Sequence, residues 1–111
     1  GKYATEVGCH VNHRRLPPHE PTIATHLAAH GYDTAYIGKW HLASDGEENY
    51  RTSPVPPDRR GGYDYWLAAD VLEFTSHSYD GHMFDGAGRR RDFPPGRFRV
   101  DAQTDWVLEY L

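Results

Sequence analysis

Lys39-Trp40-His41, set between Gly38 and Leu42, combines residue types that act on anions. An ammonium supplies fixed positive charge to oxygens that carry negative charge, and an imidazole takes or gives a proton near neutral pH. If the backbone stays extended, Lys39 and His41 leave it on the same side with Cα atoms about 6.5 Å apart, so one anionic group could touch both. Other groups compete for attention. His26 and His30 are four apart on a helical pattern and could clamp a metal, although a solvated helix face explains them as well. Cys9 is the one thiol. The acids and histidines at Asp70, Glu73, His77, Asp80, His82 and Asp85 match no standard metal spacing, and surface turns with a short hairpin at Met83–Gly88 account for them. Arg89, Arg90, Arg91, Arg97 and Arg99 form a basic run around a Phe-Pro-Pro-Gly turn, suited to steering a polyanion or to plain solvation.

The elements that must position Lys39 and His41 are legible around them. Residues 1–19 are polar, rich in His and Arg, and read as loop. Pro21 to His30 reads as a helix, with Pro21 in its first turn, Gly31 just past its end, and Ile23, Ala24, Leu27 and Ala28 as the stripe that packs on a sheet. Thr34 to Ile37 reads as a buried strand of the parallel kind, released by Gly38. Helix, glycine and strand make half of an α/β unit, and in open α/β sheets ligands bind at the C-terminal edge of the strands, where Lys39 and His41 stand. Residues 43–62 read as a long loop, since Pro54, Pro56 and Pro57 exclude helix and central strand alike. Gly62 to Leu67 reads as a second short strand. The pattern after Arg99 predicts a final helix with Asp101 as N-cap and Trp106, Val107, Tyr110 and Leu111 on its buried face.

Composition narrows the class. The 111 residues allow one domain at most, and 38% hydrophobic content with a mean hydropathy of -0.80 is low for a self-sufficient one. A net charge of -4 argues against a general nucleic-acid binder. No apolar run reaches transmembrane length, and the opening Gly-Lys-Tyr-Ala-Thr-Glu is not a signal peptide. Cys9 alone makes no disulfide framework. The absence of an initiator Met and a stop inside a helical pattern lead us to expect residues 1–111 to be part of a single domain, cut at both ends, of a larger protein.

Gly31-Tyr32-x-Thr34-x-x-x-Gly38-Lys39-Trp40-His41-Leu42 resembles the second signature of the sulfatase family, within the alkaline-phosphatase-like superfamily. Gly62-Tyr63-Asp64-Tyr65-Trp66 is similar to the Gly-Phe-Asp segment that follows it, and Gly1-Lys2-Tyr3 to the close of the first signature. The resemblance implies a partial three-layer α/β/α domain and hydrolysis of sulfate esters. It implies a formylglycine nucleophile made from a Cys or Ser upstream of Gly1, and a divalent cation, usually calcium, whose ligands also lie outside these residues. At the matching positions Lys39 would bridge the sulfate and the formylglycine, and His41 would assist proton transfer. Asp70 and His77 are substrate-pocket candidates on the loop after the second strand, although the family pattern favours Asn near Asp70. Cys9 lacks the Pro and Arg that follow a formylglycine precursor and reads as a loop thiol. The expected partner is a sulfated small molecule or sulfated carbohydrate, with periplasmic or extracellular location by analogy alone. Phosphonate monoester hydrolases and phosphodiesterases share a similar Gly-Lys-Trp-His segment. A non-catalytic paralogue that binds sulfated glycans through the arginines, and a free metal-binding module on His26/His30 or Cys9/His10/His13, are the other readings.

Overall fold

Thr22 starts the first helix by closing a capping box. Its hydroxyl oxygen accepts from the Thr25 N–H at 3.2 Å, and the Thr25 hydroxyl oxygen accepts from the Thr22 N–H at 2.9 Å. In the computed structural model, which describes residues 1–111, this helix α1 covers only Ile23–Ala28. Gly31, at φ 81°, takes the left-handed conformation that turns the chain out, and its N–H donates to the Ala28 carbonyl. The helix is shorter than its pattern and does not lay the expected stripe on a sheet. Ala24 is fully buried, whereas Ile23 and Leu27 are exposed. The reason is local: α1 docks through its threonines. The Thr22 hydroxyl donates to the Gly61 carbonyl at 2.5 Å, and the Thr25 methyl lies where a Cβ on Gly62 would fall.

Four strands form one mixed sheet in the order β1-β2-β3-β4: β1 (Ala35–Lys39), β2 (Tyr65–Ala69), β3 (His82–Asp85) and β4 (Arg90–Asp92). β1 and β2 run parallel, from Ala35 opposite Tyr65 to Lys39 opposite Ala69. β3 pairs antiparallel with β2 and β4 antiparallel with β3. The strand buried on both faces is β2, with Trp66, Leu67, Ala68 and Ala69 all inaccessible. β1, expected to be the buried one, lies at the sheet edge and is half-buried at Tyr36 and Ile37.

Strand alternation divides the core. Leu67 and Ala69 face helix α2 (Arg99–Tyr110), where Ala102 and Trp106 join Leu72, Met83 and Phe93, and the Phe93 and Trp106 rings stack at 4.9 Å. Trp66 and Ala68 face the other way, into a cluster with Trp40, Ala43 and Val55, against which Tyr36 and Tyr63 pack. No side chain caps the start of α2: its N-cap is Phe98, and Asp101 falls in the first turn. Only Ala102 and Trp106 of α2 are buried, while Val107, Tyr110 and Leu111 are exposed. The loop over residues 43–62 holds one 3-10 turn, Pro57–Arg59. Arg60 pins it: its guanidinium donates to the Val55 and Gly86 carbonyls and lies 5.4 Å over the Trp66 ring. No helix is long and apolar enough to cross a membrane.

Candidate functional site

The turn that leaves β1 is built by its neighbour. Past Lys39 the chain keeps bonding to the end of β2, with the Trp40 N–H donating to the Ala69 carbonyl at 2.9 Å and the His41 N–H to the Asp70 carbonyl at 2.8 Å. It does not stay extended. His41 has φ 58°, the one non-glycine residue with positive φ, a conformation that costs an ordinary side chain about 1–3 kcal/mol. The same-side geometry expected of an extended Lys39-x-His41 is therefore broken at His41. The imidazole lines a cavity of about 200 Å³ together with His13, Ser44, Asn49, Arg51 and Phe74.

Lys39 does not line that cavity. Its ammonium is 2.8 Å from the Glu73 carboxylate, and its side chain is about one-third exposed, at 37%. The Lys39 ammonium, donating to Glu73, holds that carboxyl below the usual carboxylate range. The Tyr36 hydroxyl donates to the Lys39 carbonyl, fixing the strand end from the other side. Glu73 stands in the 3-10 turn Leu72–Phe74, just beyond β2.

Asp70 is fully buried and lines no part of the cavity. One carboxylate oxygen accepts from the Ala43 N–H at 3.0 Å and the other from the Ser44 hydroxyl at 2.6 Å. Ser44 Oγ in turn accepts from the Tyr50 N–H at 3.1 Å. Asp70 is thus the post to which the chain after His41 is tied. His77 is exposed in the following turn, where its N–H donates to the Asp80 carbonyl, and it meets neither Lys39 nor His41. Of the four sequence candidates, His41 lines the cavity, Lys39 and Asp70 frame its turn, and His77 stands apart.

The remaining candidates resolve into structure. Burial, then the charge of Asp45, pushes the Cys9 thiol up, the opposite of an activated thiolate. His30 turns its Nδ1 onto the His26 carbonyl, at 2.8 Å, rather than toward a shared ion. No three His, Cys, Asp or Glu side chains converge in a way that could hold a metal ion, so these residues do not by themselves fit the divalent cation that the sequence leads one to expect. The arginine run is largely answered by acids: Arg89 by Asp85, Arg90 by Asp92, Arg91 by Glu109 and Arg97 by Asp105. Sequence reasoning missed Arg51 and Phe74, and named His13 only as a possible metal ligand. They sit in aperiodic stretches, and nothing in their spacing points at a common cavity.

A mixed sheet with a helix on one face, and a lysine and histidine at the C-terminal end of a parallel strand, defines an α/β class of domain with its candidate site at a sheet edge. Residues 1–92 match the family model for the sulfatases. The chain belongs to the sulfatase family. It is 42% identical over 80 residues to an ulvan-active sulfatase of Formosa agariphila, which covers 72% of this chain and 14% of that protein. It is 36% identical over 67 residues to the uncharacterised sulfatase YidJ of Escherichia coli, covering 60% of this chain and 13% of that one. In three dimensions it resembles a Bacteroides fragilis protein described as a candidate sulfatase, yidJ, with a TM-score of 0.66 at 21% identity over 96% of this chain and 24% of the other. That likeness shows the fold, alkaline-phosphatase-like. The chain spans about one-seventh of the length of the curated relatives it matches.

Proposed function

We propose that the whole protein hydrolyses sulfate esters of a carbohydrate, and that the turn after β1 contributes two of its working groups. The observation that carries this is the family match over residues 1–92, joined to the placement of His41 in a cavity directly beyond β1. The ulvan-active relative adds the substrate class, a sulfated polysaccharide or a piece of one.

In this reading the Lys39 ammonium exchanges the Glu73 carboxylate for oxygens of the sulfate. An exposed ion pair of this kind is worth about 1 kcal/mol or less, so it presents little barrier to exchange for the singly charged sulfate ester in a partly desolvated site. Charge stabilisation of that sort acts most strongly where water is excluded. The His41 imidazole assists proton transfer on the nucleophile side of the ester, from a backbone position fixed by the Asp70 carbonyl. The formylglycine and the divalent cation implied by the resemblance supply the nucleophile and polarise the ester when present. None of these residues forms a group that would hold that cation.

The test is Lys39→Ala and His41→Ala in the full-length protein, assayed on sulfate esters and, in parallel, on phosphonate monoesters and phosphodiesters. Each substitution is expected to lower kcat/KM by about 100-fold or more while the melting temperature stays put. Near-native rates in either variant would overturn the assignment. Wild-type activity confined to the phosphorus esters would move the reading to that branch of the superfamily.

A further inference from the structure

In a chain whose net charge is -4, the cavity beside His41 is lined by one guanidinium and two imidazoles and by no carboxylate. Its guanidinium belongs to Arg51. Among the 12 lysines and arginines, Arg51 is the one whose charged group makes neither a hydrogen bond nor an ion pair within the chain. It rests instead 5.3 Å over the ring of Phe74. A cation–π contact of this kind at an exposed site is weak and leaves the guanidinium's N–H donors free for a ligand.

Phe74 follows Glu73 in the 3-10 turn, so their side chains leave the turn about 120° apart. Glu73 holds Lys39 and Phe74 holds Arg51, and this divergence keeps the two cations from serving one point: Arg51 lines the cavity and Lys39 does not. The cavity wall also carries the Asn49 amide and the exposed Phe74 ring, groups that suit a hydroxyl and the C–H face of a sugar.

We propose that Arg51 is a specificity-determining residue that receives a second anionic group of the substrate, a carboxylate or a further sulfate on a saccharide, apart from the ester that is cleaved. The proposal rests on the sulfatase reading above. A planar guanidinium fork meets the paired oxygens of such a group with two parallel hydrogen bonds, which a lysine cannot copy.

The experiment uses the full-length protein and three saccharides that share one sulfate ester: one otherwise neutral, one bearing a uronic acid and one bearing a second sulfate. For wild type, kcat/KM is expected to favour a doubly charged substrate over the neutral one by about ten- to a hundredfold, through KM. In Arg51→Gln that discrimination falls to within about twofold, and Arg51→Lys keeps only part of it; thermal melts establish that both variants fold. Which doubly charged saccharide shows the larger loss identifies the group received. An equal loss on all three substrates assigns Arg51 to the cleaved ester and overturns the proposal, as does no loss on any. If the wild type cleaves no sulfate ester, the catalytic reading fails on its own, and equilibrium binding of the same saccharides then decides. Arg51-dependent preference for a doubly charged one upholds the proposal, and binding indifferent to Arg51 defeats it.

Discussion

Asp70 shows how one side chain converts a loop into a site. Its carboxylate is sealed from solvent and both its oxygens are engaged, by the Ala43 N–H and the Ser44 hydroxyl, two and three residues past His41. Removing it leaves two donors without partners in a dry place, at about 1–3 kcal/mol each. Asp70→Ala in the full-length protein is therefore expected to lose about 2–4 kcal/mol in denaturant titrations and to reduce kcat, because the turn carrying His41 is released. Ser44→Ala removes one bond and should lose about 1 kcal/mol. An Asp70→Ala protein as stable as wild type would show that the turn is held by something else. Residue identity alone did not reveal this role. An aspartate after a strand, in a stretch of acids and histidines, reads as a pocket ligand, and only its burial and its two partners make it a positioning residue.

At the scale of elements, the segment between β2 and β3 does the arranging. The 3-10 turn Leu72–Phe74 presents Glu73 to Lys39 and Phe74 to Arg51. Its exit is fastened by the bridge of Ser76 to Gly81 and by the His82 N–H donating to the Thr75 carbonyl. Gly81 has φ 109°, and a Cβ there would lie 2.3 Å from the Thr75 carbonyl oxygen and from Ser76 Cα. Gly81→Ala is expected to destabilise the full-length protein by at least about 2 kcal/mol and to loosen both cation contacts, read as a lower melting temperature. An unchanged melting temperature would mean that this segment yields without consequence. The hairpin of β3 and β4 was legible from Met83-Phe-Asp-Gly-Ala-Gly88, because turn chemistry is local. The basic run beside it was legible as charge but not as strand β4, whose arginines are paired with acids on the hairpin and on α2. Burial, with Arg90 adding to it, pushes the His82 imidazole down, so this member of the acid–histidine stretch is a strand residue with its ring edge on Phe84.

For the molecule as a whole, the inside is small. Only 22 of 111 residues are buried, and Ile23, Leu27, Val107 and Leu108 stay exposed on the two helices. β1 and β4 present open edges of the sheet, and neither is covered by another strand. A core of that size leaves little margin over the conformational entropy of the chain. The 111-residue chain taken by itself is expected to unfold over a broad, weakly cooperative range in calorimetry; a sharp single transition would contradict this.

The sequence by itself determined the parts whose signals are short in range. Pro21 and Gly31 bracket a helix, the short run Gly62 to Leu67 marks β2, and Gly38-Lys39-Trp40-His41 identifies the family and the end of the strand where chemistry is expected, although β1 runs on through Gly38 to Lys39. Each of these depends on neighbours within a few residues, and local backbone preference is written locally. The tertiary structure decided what depends on partners far along the chain. Lys39 meets Glu73 34 residues on, Ala43 meets Asp70 27 residues on, and Arg51 comes to rest on Phe74 beside a cavity that also takes His13 and His41. No periodicity encodes such meetings. They follow from the pairing of β1 with β2, which carries the two strand ends, and the loops hanging from them, to one edge of the sheet.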